Sequence, residues 1–350
     1  MSTAPEDAGP TAAGELAAEA RSWREQLAPY AVPNRWRAGL SLATSVVPYL
    51  LLSVAIYLLL GRSLLALLLG IPAAVFLVRS FIVFHDCSHG SFFASRRANA
   101  WWGRSIGLLL YSPFHRWRHD HAVHHATAGD LDRRGTGDLH TLTVAEYTAL
   151  PRKARLGYRL ARNPLIMFGV GPIVAMMIGP RIVAKEARPR MRRSVLATDV
   201  ALALIVGVLV WQIGWQDYLL VLLLPALLAG SIGIWLFYVQ HQFEDAYWSD
   251  AEDWSFTDAA LRGSSYLKLS AVLRFCTGNI GYHHVHHLNA RIPNYNLRRA
   301  HDQTPALHDV PTLSLIDGIR ATRLKLYDER TGRLVGFREA KLGEPALEGR

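Results

Sequence analysis

Three short stretches concentrate the histidines of this 350-residue chain: His85-Asp-Cys-Ser-His89, His121-Ala-Val-His124-His125 and His283-His284-Val-His286-His287. Thirteen of its fifteen histidines fall between residues 85 and 287. Neutral imidazole is the commonest protein metal ligand. On a helix, positions i, i+3 and i+4 share a face, so each stretch can aim its rings at one point. At about 100° per residue, His121, His124 and His125 occupy one sector, while His115 and His119 point away from it. His283, His286 and His287 group likewise, and His284 turns aside toward a supporting position. His140, His301 and His308 stand alone and read as exposed or locally hydrogen-bonded. His85 and His241 each directly follow a long apolar run, so two helices deliver them to the same level. The expected converging set is therefore His85, His89, His121, His124, His125, His241, His283, His286 and His287. Four to six ligands saturate a first-row ion, so this number implies two metals.

Imidazole alone does not choose the metal, since it serves zinc, copper, iron and nickel. Zinc hydrolysis usually needs a carboxylate base beside the bound water, and no Glu lies in the three stretches. Iron and oxygen chemistry is the preferred reading. Asp86, Asp120, Asp130 and Asp138 are the carboxylates available to fix imidazole tautomers; ion pairs with the many arginines are the competing role for each.

The elements that must position these residues come from hydropathy. The chain is 51% hydrophobic and 19% charged, with a mean hydropathy of +0.12, which argues against a wholly soluble protein. Residues 40–60 are uncharged and match the roughly 20 apolar residues needed to cross a bilayer. A second run, 63–84, is broken only by Arg79, and runs 195–214 and 218–240 repeat the hairpin arrangement. The expected fold is all-α and integral to a membrane: four transmembrane helices in two hairpins, interfacial helices, and a cytosolic helical cap carrying a dimetal site. A further apolar stretch, 164–180, holds Pro164, Pro172 and Pro180, which weaken a continuous helix.

The net charge of +10 and pI near 9.8 come from basic blocks between apolar runs rather than from a nucleic-acid-binding surface. Twelve Lys and Arg lie between 85 and 163 and six between 181 and 193, against one in the two short connections. The positive-inside rule puts both basic loops, and hence both termini, in the cytoplasm. Segment 164–180 then cannot cross once and lies in the interface or re-enters. Residues 1–39 read as a partly disordered cytosolic tail without a signal peptide, residues 40–335 as the membrane domain and 336–350 as a C-terminal tail. An amphipathic helix near 313–327, with Leu315, Ile316, Ile319 and Leu326 on one side, is expected to dock on the protein. Two cysteines, Cys87 and Cys276, exclude a disulfide-stapled secreted fold.

The stretches FHDCSHGSFF (84–93), WRHDHAVHHATAGDLDRRGTGDLHTLTVAEY (117–147), YVQHQFEDAYW (238–248) and GYHHVHHLNARIPNYNL (281–297) resemble the integral-membrane fatty acid desaturases. Within that family they are similar to the bacterial acyl-lipid omega-6 (Δ12) branch. The resemblance runs from about residue 40 to about 335. It implies a non-haem diiron site held by the nine histidines named above, with His241 as the ligand outside the boxes. It also implies O2 as co-substrate and removal of two hydrogens from adjacent CH2 groups of an acyl chain, on a lipid or a thioester. The family's fused haem domain carries a His-Pro-Gly-Gly signature that this sequence lacks, so an external electron donor, ferredoxin or similar, is implied. Such an enzyme sits in the bacterial inner membrane with its active site toward the cytoplasm.

Two departures bear on the subfamily: Ser88 stands where the first box often has Gly, and Leu139-His140 where an aromatic commonly follows Gly-Asp. Trp101, Trp102, Tyr111 and Trp235 are candidate walls of an acyl tunnel, with membrane-belt packing as the alternative. Cys87 reads as a buried packing residue. Diiron hydroxylases and ketolases of lipids or carotenoids use comparable boxes and form the alternative function. A metal transporter is the remote one, because it would place polar ligands near the midplane of its spans.

Overall fold

The structure is a computed structural model that describes residues 12–183 and 187–342. The first eleven residues of the expected N-terminal tail, the last eight of the expected C-terminal tail and positions 184–186 of the second basic connection lie outside them. The rest of the N-terminal region is folded. Helix α1 (Ala12–Leu27) buries Leu27 completely, and Trp23 packs on the same core. The expected tail thus ends early, because an apolar edge at Trp23 and Leu27 has a core to join.

Asn34 starts α2 (Arg35–Leu60): its side chain accepts from the Trp36 and Arg37 amides at 3.0 Å, satisfying two otherwise orphaned donors. Ser45 and Ser53 donate to carbonyls one turn back, so their hydroxyls stay paired inside this apolar helix. A tight turn at Gly61 leads into a single 3-10 stretch and then α3 (Gly70–His89). α3 is the central element. Ala73, Ala74, Leu77, Val78, Ile82, Val83 and Phe84 are all buried, and small residues let its neighbours approach. It ends at Gly90, whose φ of 71° only glycine adopts without cost.

α4 (Arg96–Leu109) crosses directly after that turn. A Cβ at Gly107 would lie 2.6 Å from the Ser112 carbonyl, and one at Gly103 would overlap the Phe114 ring. The chain then enters α5 (Phe114–Thr127), the short α6 (Val144–Ala149) and α7 (Arg152–Ala161). Segment 164–181 is broken as its prolines require, into α8 (Pro164–Gly169), a π-type turn and a 3-10 turn. It packs along the fourth apolar helix, where Gly230 faces Pro172 and Met176.

α9 (Pro189–Ile213) is followed by α10 (Trp215–Tyr218), a π-type stretch and α11 (Leu224–His241), the last three forming one continuous rod. Among the described residues four helices, Arg35–Leu60, Leu64–His89, Pro189–Ile213 and Trp215–His241, are long and apolar enough to cross a membrane. The spans match the expected four and extend several residues further at both basic-loop ends.

Beyond residue 241 come α12 (Phe256–Leu261), α13 (Ala271–Cys276), α14 (His283–Leu288), α15 (Asn294–Gln303), α16 (Leu315–Ala321) and α17 (Phe337–Leu342). α1 lies against α12 and α14, closing the cap. The expected helix over 313–327 is shorter than its apolar pattern suggested. Leu326 is instead fully buried in a strand, β4 of a small sheet in which β1 (Leu142–Thr143) runs parallel and β5 (Arg333–Val335) antiparallel to β4 (Leu326–Asp328). A second parallel pair joins β2 (Tyr266–Leu267) to β3 (Thr312–Leu313). α16 docks on α11 through Gly318, which meets Trp235 and Val239, while Leu315, Ile316 and Ile319 face outward.

Candidate metal centre

Four helices meet at one end of the bundle, and each brings imidazoles. α3 contributes His85 and His89 from its last turns, α5 contributes His121, His124 and His125, α11 ends on His241, and α14 carries His283, His286 and His287. The nine fall into two groups whose potential ligand atoms lie within 4.8 Å of one another: His85, His89, His121, His125 and His286, and then His124, His241, His283 and His287. The spacing explains the division. Each i, i+4 pair, 85/89, 121/125 and 283/287, enters one group, and the residue at i+3 in the second and third boxes, His124 or His286, reaches the other. α5 and α14 therefore serve both groups, and the rings of His125 and His287 stack between them at 4.2 Å.

The tautomers show that these groups suit a cation. His241 Nδ1 donates to the Gly263 carbonyl at 3.1 Å, and His124 Nδ1 donates to the Asp138 carboxylate. A neutral ring has one N–H, so both Nε2 atoms are bare lone pairs, and they face each other 3.2 Å apart. Two lone pairs at that distance repel unless a positive ion lies between them. His241 Nε2 also faces His283 Nε2 at 2.9 Å, and His283 Nε2 faces His287 Nε2 at 3.1 Å. In the five-membered group, His125 Nε2 stands 3.1 Å from His121 Nε2 and 2.9 Å from His286 Nε2, and His89 Nε2 is buried without a hydrogen-bond partner. His85 has its Nδ1 on Asp86 at 3.0 Å, which turns Nε2 inward. The donor set therefore fits two metal ions.

Burial, followed by mutual crowding with neighbouring histidines, pushes His121, His125, His283, His286 and His287 well below the ordinary imidazole value. Neutral rings are the form that ligates metal.

Of the four carboxylates named from sequence, two reach the nine clustered histidines. Asp86 holds His85 and also accepts the Asn294 backbone amide at 2.6 Å and its side-chain amide at 2.9 Å. Asp138 holds His124, and Gly137 makes this possible: the loop passes so close to α5 that a Cβ there would lie 2.5 Å from the Asp120 carbonyl. Asp120 pairs with Arg116 at 2.6 Å and Asp130 with Arg133 at 2.5 Å, so these two serve local ion pairs.

Outside the set, His119 is exposed and His115 half-buried. His284 is buried and bonded to His301 at 3.1 Å; its burial, with His301 and His308 nearby, lowers it to about 3. His301 has more company than its isolation in sequence suggested, since it is buried against His284, Tyr266 and Tyr282.

Sequence reasoning missed three supports. Trp117 stacks on His121 at 4.4 Å and meets the His85 ring edge-on at 5.8 Å, with Phe81 and Phe84 against it. The signal was present: Phe81/His85/His89 and Trp117/His121/His125 are both i, i+4, i+8 series on one helix face. Asn294, in the RIPNYNL stretch after His287, ties α15 to Asp86, while Tyr295 donates to the Phe92 carbonyl at 2.9 Å. Gln242, held by Thr141 and Arg162, anchors the turn that follows His241. Of the candidate tunnel walls, Trp101 is exposed, Trp102 and Trp235 are half-buried, and Tyr111 bonds Tyr218 at 2.9 Å.

Comparisons with known proteins agree with this geometry. The family profile described as fatty acid desaturase matches residues 62–312. The chain is 43% identical over 327 residues, 93% of each chain, to a fatty acid desaturase of Bacillus subtilis. It is 30% identical over 232 residues to the sn-1 acyl-lipid omega-3 desaturase (ferredoxin) of Synechocystis, covering 63% of this chain and 62% of that one. It is 29% identical over 226 residues to the sn-1 oleoyl-lipid 12-desaturase of the same organism, covering 64% of each. The two Synechocystis relatives are thus matched over less than two thirds of their length. A profile match over most of the chain, a relative aligned nearly end to end and histidine boxes that converge in space lead to one conclusion: the chain belongs to the fatty acid desaturase family.

Proposed function

We propose that this protein is an O2-dependent membrane desaturase that introduces a cis double bond into a lipid-borne acyl chain. The observation that carries the proposal is the pair of converging imidazole groups at the end of four membrane-length helices. His85, His89, His121, His125 and His286 would hold one iron ion, and His124, His241, His283 and His287 the other. Iron bound there would supply O2 activation and the oxidising power that an unactivated C–H bond demands. The overall reaction removes one hydrogen from each of two adjacent CH2 carbons. Together with two protons and two electrons from outside, these reduce one O2 to two water molecules.

The protein's own groups have definable tasks. Asp86, Asp138 and the Gly263 carbonyl keep the Nδ1 protons of His85, His124 and His241 in place, so that each Nε2 points inward. Phe81, Phe84 and Trp117 form an apolar wall beside the five-histidine group, suited to excluding water from the acyl segment beside it. The external electron donor is a ferredoxin or similar carrier, a reading supported by the ferredoxin named for the omega-3 relatives of Synechocystis and Nostoc. The excess of Lys and Arg in the two long loops supports a centre and termini on the cytoplasmic side of a bacterial inner membrane.

The test is reconstitution of the purified chain in phospholipid vesicles with iron, O2 and reduced ferredoxin. The proposal expects an unsaturated acyl product formed only when all three are present. Hydroxylated product without a double bond would replace desaturation by hydroxylation, and turnover without iron would refute the metal assignment.

A further inference from the structure

The outward face of α4 does not take part in the metal centre. Asn99, Gly103, Ile106 and Gly107 form its buried side, whereas Arg97, Trp101 and Arg104 are exposed along the opposite stripe. This stripe borders an open cavity of about 630 Å³ completed by Trp102, His115 from the first turn of α5 and Arg190 from the first turn of α9. Among the described residues no Asp or Glu lines it. Among the described residues no carboxylate pairs with Arg97, Arg104 or Arg190; Asp120 pairs with Arg116 and Asp199 with Arg181. Arg104 donates from Nε to the Ala100 carbonyl at 3.0 Å, which fixes the base of its guanidinium. His115 is lowered from its ordinary value by burial and then by Arg190 and Arg104, so the field of these arginines converges on the cavity.

Three guanidiniums around one hollow match the charge and fork geometry of a phosphate group. The height of the hollow selects the source of that phosphate. Arg190 begins the third membrane-length helix, and α4 follows the end of the second, so the cavity lies where two spans leave the apolar layer. Trp101, 55% exposed beside the arginines, is the side chain suited to the headgroup region. We propose that the α4–α5–α9 cavity binds the phosphate of a glycerophospholipid headgroup, with Arg97, Arg104 and Arg190 as its ligands and Trp101 resting on the adjacent acyl-glycerol region. The site deepens the proposed function, on whose lipid substrate it rests, by selecting a phosphate-bearing lipid over a neutral one.

The test is native mass spectrometry of the full chain in detergent, titrated with phosphatidylglycerol, with the matching diacylglycerol and with inorganic phosphate. Wild type should hold phosphatidylglycerol, and Arg104→Gln/Arg190→Gln should weaken it about tenfold, with the weaker diacylglycerol binding unchanged. Arg97→Gln/Arg104→Gln, confined to α4, should show the same loss and replaces the first variant if that one loses its bound metal. Equal phosphatidylglycerol affinity in wild type and a folded variant would overturn the proposal. Displacement of the lipid by equimolar inorganic phosphate would also overturn it, by assigning the hollow to a free anion. His124→Ala should retain the lipid, so failure of the desaturase reading would leave this titration intact.

Discussion

At the scale of single residues, the centre depends on which nitrogen carries each proton. His124 and His286 lie in different groups, so His124→Ala and His286→Ala should each lower the metal content of the purified chain and abolish turnover. Unchanged metal stoichiometry in either, read by elemental analysis, would remove that residue from the ligand set. His115→Ala should keep its metal, because the ring lies on another face of α5. Asp138→Asn retains shape but loses the charge that fixes the His124 tautomer; metal affinity should fall by roughly 10–100-fold, measured by competition with a chelator. Acidity acts on the same atoms. Five of the cap histidines are held well below the ordinary value of about 6.5, so the unfolded chain binds protons that the folded chain refuses. The stability these neutral rings contribute to the metal-free protein is therefore fully present above about pH 6.5 and is lost as the pH falls below it. Thermal unfolding followed from about pH 8 to about pH 5 should show a falling midpoint, and a flat profile would contradict the assignment of buried neutral rings.

At the scale of elements, the histidine boxes were legible because i, i+3, i+4 spacing is a property of a helix taken alone. Their division into a group of five and a group of four was not, since it depends on how α3, α5, α11 and α14 cross. Apolar run length likewise revealed the four spans but not their ends: α9 starts at Pro189, within a basic stretch that its hydropathy excludes. The helix expected over 313–327 failed for a related reason. Leu326 fits a helical stripe, yet pairing with Leu142 and Val335 wins it for a strand. Asp138 was a candidate without a named partner and Asn294 was not singled out, because their partners, His124 and Asp86, lie 14 and 208 positions away. Crossing of α4 over α3 and α5 depends on glycine. Gly107→Leu must displace the Ser112 carbonyl or the Phe84 ring, and should destabilise the fold by about 1–3 kcal/mol or more. Thermal unfolding in detergent measures this; an unshifted midpoint would show that α4 is not packed as described.

At the scale of the whole molecule, four apolar helices converge at the end where the basic loops and the histidine cap lie, and the short connections with few charges occupy the other. Under the proposed function, the histidine groups would lie at the membrane boundary, open to an acyl chain from the bilayer and to electrons from the aqueous side. A cysteine placed at Asp217 should react with an impermeant thiol reagent added outside intact cells, and one at Arg152 only after lysis; the reverse pattern would invert the topology. The central claim, that this assembly desaturates lipid acyl chains, is tested most directly in cells. Total fatty acids from bacteria expressing the wild-type chain are compared with those expressing His124→Ala by gas chromatography–mass spectrometry, with double bonds located by derivatisation. A new unsaturated acid, with its double bond at one position, is expected in the wild type alone. An unsaturated acid present in both strains, or a hydroxylated lipid in place of the double bond, would contradict it.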